Sequence, residues 1–138
     1  MRVVVDTNVL VSIVLHRERD PMNAIYTVIK NNSVTIVFCR DTYNELKEAL
    51  SRRKFRHLKR TVVNSYLAFL SDKADWREPD RHGNEASDPD DQVFIDLAVT
   101  ASCKYLISGN LRHMPASRVV GDLSIVSPRD FATAENLL

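Results

Sequence analysis

Three acids in this sequence are placed to do chemistry. Asp6 follows Val3-Val4-Val5 directly, Glu45 follows the apolar run that ends at Phe38, and Asp91 closes Asp88-Pro89-Asp90-Asp91. Each also has an ordinary local reading. Asp6 suits the N-cap of a following helix as well as it suits a metal-ligating or phosphate-chemistry carboxylate at a strand end. Glu45 completes Thr42-Tyr43-Asn44-Glu45, a capping-box pattern in which the glutamate reaches back to the cap amide. Asp88 caps, Pro89 takes the first helical position, and Asp90 and Asp91 complement the helix dipole. Capping needs one acid, however, and three crowd the site with like charge.

Helical geometry sorts the last group. Asp91 has Phe94, Ile95 and Ala98 at i+3, i+4 and i+7, so it faces the core side. Asp90 is turned away by about 100° toward solvent, and Asp96 lies about 140° round from Asp91, off its site. Asp6, Glu45 and Asp91 gathered at one edge of a parallel sheet would repel one another, and some would take up protons without a counter-charge. Mg²⁺ or Mn²⁺ suits such a cluster, because both prefer carboxylate and water oxygens. Such an ion activates water and offsets charge on a phosphodiester in transit. No His or Cys cluster adjoins these acids in sequence, which argues against zinc. Asn110, after Ser108-Gly109, is a fourth polar group at a strand end, and alone it is an ordinary turn residue.

The elements that must position these groups alternate. Val3 to Val5 reads as a strand buried on both faces. Asn8 to Leu15 follows as a helix capped by Thr7 or Asn8, and Pro21 opens another that runs to about Lys30. Val34 to Phe38 is the second strand, and Tyr43 to about Leu50 a helix. Val62, Val63, Tyr66, Leu67, Phe69 and Leu70 give an amphipathic helix. Ala74 and Trp76 suggest a short edge strand. The helix after Asp88-Pro89 buries Val93, Phe94, Leu97, Ala98 and Ala101. Tyr105 to Ile107 and Leu123 to Val126 are strands, and Ser127-Pro128 caps a final helix. Strands alternating with helices imply a parallel sheet covered on both faces. The expectation is a three-layer α/β/α sandwich with a mainly parallel sheet of about five strands, in one domain over residues 1–138.

Composition narrows the class. With 19 basic and 18 acidic residues the net charge is +1, which neither supports nor excludes a nucleic-acid partner. A chain of this length buries roughly two-thirds of its unfolded surface, so a metal would serve function rather than folding. No apolar run approaches the ~20 residues that span a membrane, and no leader pattern precedes the first strand. Cys39 and Cys103 form no C-x-x-C pair and read as reduced thiols of a cytoplasmic protein. The basic stretch Arg52, Arg53, Lys54, Arg56, His57, Lys59 and Arg60 reads either as a solvated face or as a track for an RNA backbone or acidic partner. Phe55 and Leu58 within it look like packing residues.

Four stretches together resemble the PIN domain, and specifically the small prokaryotic PIN proteins of the VapC type. They are Val4-Val5-Asp6-Thr7-Asn8-Val9-Leu10-Val11-Ser12, Glu45-Leu46, Asp88-Pro89-Asp90-Asp91-Gln92-Val93-Phe94-Ile95-Asp96-Leu97-Ala98, and Tyr105-Leu106-Ile107-Ser108-Gly109-Asn110. The closing Ile125-Val126-Ser127-Pro128-Arg129-Asp130-Phe131 is similar to the end of one PIN subfamily of toxin components. The resemblance implies a Rossmann-like fold and a Mg²⁺/Mn²⁺-dependent endoribonuclease, often the toxin of a toxin–antitoxin pair and commonly a homodimer. It carries the family's acids onto Asp6, Glu45 and Asp91. Asp6, Asp91 and Asn110 are the metal positions it implies, with Thr7, Asn8 and Ser108 in support. Asn110 stands where the family usually has an acid, which implies a weak second metal site or reduced activity. Arg112 and His113 follow it as candidate phosphate contacts or as a solvated turn.

Two rivals stand beside this reading. Asn110 motivates an RNA-binding PIN module with weak or lost catalysis. An aspartate-based phosphatase would need a second acid two positions after Asp6, and Asn8 is there instead.

Overall fold

The computed structural model describes all 138 residues. A six-stranded sheet runs β3-β2-β1-β4-β6-β5. The strands are β1 (Arg2–Val5), β2 (Thr35–Phe38), β3 (Asp75–Trp76), β4 (Tyr105–Ile107), β5 (Val119–Val120) and β6 (Leu123–Val126). The helices are α1 (Thr7–His16), α2 (Met22–Lys30), α3 (Arg40–Ser51), α4 (Arg60–Lys73), α5 (Pro89–Thr100) and α6 (Pro128–Ala134). All pairings are parallel except β5 with β6.

The valines of β1 set the layers. Successive side chains of a strand point to opposite faces. Val3 and Val5 join a cluster with Leu10, Ile25, Leu46, Leu70 and Phe131, so α1, α2, α3, α4 and α6 cover one face. Val4 joins Val37, Leu106, Phe94, Ile95 and Leu97, so α5 covers the other. Phe94, Ile95 and Leu97 are fully buried, each contributing about 2 kcal/mol of burial free energy. Tyr66 of α4 donates its hydroxyl to the Leu10 carbonyl at 2.7 Å and pins α4 to α1.

Strand order fixes the crevice. From β1 the chain steps outward to β2 and β3, then returns to the far side of β1 to lay down β4. The switch therefore falls between β1 and β4, and an open α/β sheet places its ligand crevice at such a point, outside the carboxyl ends of the strands. Register pairs Val5 with Ile107, so Asp6 and Ser108 leave adjacent strands side by side.

Several sequence expectations shift. The sheet has six strands, because Val119–Val120 folds back on Leu123–Val126 through a two-residue turn with Gly121 at φ 59°. Two residues are too few to show periodicity. Helix α1 starts at Thr7, so Asp6 occupies its N-cap rather than Thr7 or Asn8. Helix α3 starts at Arg40, with Cys39 as N-cap. The Thr42 hydroxyl there accepts the Cys39 amide at 3.1 Å. Thr42 thus closes the cap itself, and Glu45 sits deeper in the helix, free of a capping role. Val93 is only half-buried, because Ile95 and Asp96 take up more of the buried face of α5.

Candidate active site

Asp6 is built in by the sheet. It is 3% exposed, and its carboxylate makes no side-chain capping bond to α1. Ser108, fully buried at the end of β4, donates its hydroxyl to Asp6 Oδ2 at 2.7 Å. The Asn110 amide donates to Ser108 Oγ at 3.0 Å and orients that hydroxyl. Burial pushes the Asp6 carboxyl above its ordinary pKa, against the pull of Ser108 and of the Asn8 and Thr7 amides. Asn8 is exposed, so its support comes from its backbone rather than its side chain. Asn110 likewise engages the site through its backbone.

Glu45 and Asp91 approach from α3 and α5. The Glu45 carboxyl is raised first by burial and then by the charges of Asp6, Asp90 and Asp91, while the Thr7 hydroxyl lowers it. That hydroxyl is buried against Glu45 without a hydrogen bond of regular geometry. Asp91 is 8% exposed, and no side chain or amide donates to its carboxylate. Burial raises its pKa, then Asp6 and Asp88; His113 opposes the rise. Mutual repulsion between Asp6, Glu45 and Asp91 marks the three as one electrostatic neighbourhood. A divalent cation fits this donor set, since it would offset the repulsion and give Asp91 the partner it lacks.

Three-dimensional structure adds groups that the sequence kept apart. Donor atoms of Asp88, Asp91 and His113 lie within 4.8 Å of one another. A single nitrogen donor therefore stands beside Asp88 and Asp91, because His113 is distant only along the chain. Asp96 is held away from the site as expected. It accepts from Gln92 Nε2 and the Gly83 amide at 3.0 Å each, and pairs with Arg81 at 3.2 Å.

The basic residues distribute differently. Arg52 lines a groove of about 430 Å³ with Asp41, Glu45, Glu48 and Asp90. Arg53 and Lys54 are exposed on a short 3-10 turn, Arg53–Phe55, rather than on a helix face. Arg60 donates to the Leu50 carbonyl at 3.1 Å and caps α3. Phe55 and Leu58 pack on the core. Arg112 is exposed beside His113.

The PIN domain family profile matches residues 2–112, a span that includes Asp6, Glu45, Asp91 and Asn110. The chain belongs to the PIN domain family. Members of this family are generally nucleases. Two solved PIN-like structures share the fold. One is the crystal structure of VapBC2 from Rickettsia felis bound to a DNA fragment from their promoter. It has a TM-score of 0.58 and 16% identity, covering 91% of this chain and 97% of that one. The other is PAE2754 from Pyrobaculum aerophilum, with a TM-score of 0.62 and 12% identity, covering 99% of this chain and 90% of that one. Among curated proteins, none matches the chain. No helix of this PIN domain is long and apolar enough to cross a membrane.

Proposed function

We propose that this PIN domain is a Mg²⁺- or Mn²⁺-dependent endoribonuclease and the toxin of a toxin–antitoxin pair. One observation carries the reading: Asp91 is buried without a donor, beside Asp6 and Glu45, whose charges repel it. Asp6, Asp91 and Glu45 are the residues that would hold a cation, and when bound it supplies activated water and offsets charge on the scissile phosphodiester.

The chain's own groups do the rest. Ser108 orients Asp6 and favours its ionised form against the effect of burial. Thr7 stands beside Glu45, whose carboxylate opens onto the groove and is placed to take a proton from the attacking water. Arg52 lines the groove, Arg53, Lys54 and Arg112 are exposed, and all four suit the RNA backbone. Thiol chemistry has no place here, because burial pushes Cys103 up to about 12 and both cysteines are buried and free. Those reduced cysteines accord with a cytoplasmic protein. The motif resemblance and the fold shared with VapBC2 support a small antitoxin partner, and the resemblance alone supports a homodimeric assembly.

The test is cleavage of structured RNA by purified protein with Mn²⁺ or Mg²⁺. Cleavage abolished by EDTA and by Asp6→Asn is expected. Protein that binds RNA and never cuts it, at any metal concentration, would overturn the enzymatic reading and leave the binding module.

A further inference from the structure

The turn after β4 brings a histidine to the acids. The Ser87 amide donates to the His113 carbonyl at 2.8 Å, and its hydroxyl to the same oxygen at 3.3 Å. These bonds tie the start of α5 to the 3-10 turn Leu111–His113. The His113 amide in turn donates to the Asn110 carbonyl at 3.1 Å. His113 is thereby fixed next to Asp88 and Asp91 by backbone bonds, without relying on its own ring.

The three side chains have donor atoms to spare. Asp88 Oδ1 accepts the Asp90 amide at 2.9 Å as the helix cap, which leaves Oδ2 for another partner. Asp91 is more than nine-tenths buried and receives no hydrogen bond. Arg112 Nε donates to His113 Nε2 at 3.3 Å, at the long end of the range. Because Nε2 accepts there, Nδ1 carries the ring proton, so ligation through either ring nitrogen replaces the Arg112 bond: Nε2 ligation takes the lone pair, and Nδ1 ligation moves the proton onto Nε2. One ion taking its ligands at about 2.1 Å holds them within about 4.2 Å of each other. The observed 4.8 Å limit needs only small side-chain rotations to close.

We propose that Asp88, Asp91 and His113 form a cation position with one nitrogen and two carboxylate ligands. It adjoins the oxygen-only position of Asp6 and Glu45 and shares Asp91 with it. An imidazole ligand favours transition-metal ions, whereas Mg²⁺ is served by oxygen alone. The pair of positions therefore selects a divalent transition ion over Mg²⁺ at the His113 side. Asn110 has no charge to supply there, and His113 takes the place of the missing acid. The inference rests on Asp91 being a cation ligand, as in the proposed function.

The experiment is Mn²⁺ titration of the full chain followed by electron paramagnetic resonance, with spin-echo modulation to detect nitrogen on the ion. Wild type is expected to show histidine nitrogen coupling. His113→Ala and His113→Gln should both lose it and weaken Mn²⁺ binding by roughly tenfold or more, the scale of losing even an outer partner of a metal site. Mg²⁺ affinity should fall less. Circular dichroism checks that both variants fold. Mn²⁺ bound through Asp91 without nitrogen coupling, or coupling that survives in both variants, would overturn the His113 assignment and leave the nuclease reading standing. Failure of wild type to bind Mn²⁺ at all would overturn both.

Discussion

Ser108 Oγ stands 2.7 Å from Asp6 Oδ2, joining two residues 102 positions apart at the carboxyl ends of adjacent parallel strands. The bond stabilises the ionised carboxylate in a place where burial disfavours it. Ser108→Ala should raise the Asp6 pKa further. Because the bond favours the charged form, its contribution is present above the Asp6 pKa and is lost as pH falls through it. Removing it should cost about 1.5–3 kcal/mol near neutral pH, and less in acid. Urea unfolding of wild type and S108A across pH measures both quantities.

Asp91→Asn should separate stability from function. Asp6, Glu45 and Asp91 all titrate above their ordinary values, first because they are buried; the Asp6 charge adds to the rise of Glu45 and Asp91. Raised carboxyl pKa values give stability that is complete below the unfolded values and lost as pH rises through the folded ones. Metal-free D91N should therefore melt above wild type at pH 7, and the gap should close on acidification. A melting curve at or below wild type at neutral pH would contradict strain in this cluster.

Cation binding should reverse that order. At about 100-fold excess over its dissociation constant, an ion that binds only the folded protein stabilises it by about 2.7 kcal/mol. Mn²⁺ should raise the melting temperature of wild type and leave D91N nearly unmoved. Hydrolysis of RNA should fall at least roughly 10²-fold in D91N, the scale of losing one preorganised electrostatic group.

Asp96→Ala should behave in the opposite way. Its carboxylate gathers Arg81, Gln92 and the Gly83 amide, tying the loop before α5 to the helix. Loss of a buried partner of this kind costs about 2–4 kcal/mol, discounted because Arg81 is partly exposed. Mn²⁺ affinity should stay within about twofold of wild type, the margin expected of a site with no shared ligand. A loss of stability without loss of ion binding distinguishes this acid from Asp91, although both lie on α5.

RNA affinity should report the basic rim. Neutralising Arg52, Arg53 and Lys54 together should lower the salt dependence of single-stranded RNA binding. The log–log slope should fall by about 0.7 for each phosphate that is no longer paired with a cation. Binding to a catalytically silent D6N background at several salt concentrations measures the slope. An unchanged slope would mean these residues are a solvated rim.

Local pattern is enough to read the alternation of strands and helices, the burial of Val3 to Val5, and the motif acids. Three valines before an acid, and a Pro after a capping Asp, leave few conformations open, so β1 and the start of α5 are written in neighbouring residues. Capping is ambiguous where two local solutions compete. Thr42-Tyr43-Asn44-Glu45 satisfies a capping box on paper, but the chain leaves β2 through Cys39 and starts α3 at Arg40, ahead of that pattern. That start leaves Glu45 free to face the charges of Asp6 and Asp91.

His113 marks the limit of sequence reading. In the chain it is a basic residue beside Arg112, and nothing in its spacing points to Asp88. Sequence determined which elements form, because periodicity and caps act within a few residues. Tertiary structure alone decided which side chains meet. The return of the chain across β1 sets Ser108 against Asp6. Backbone bonds from Ser87 then draw the His113 turn onto the start of α5.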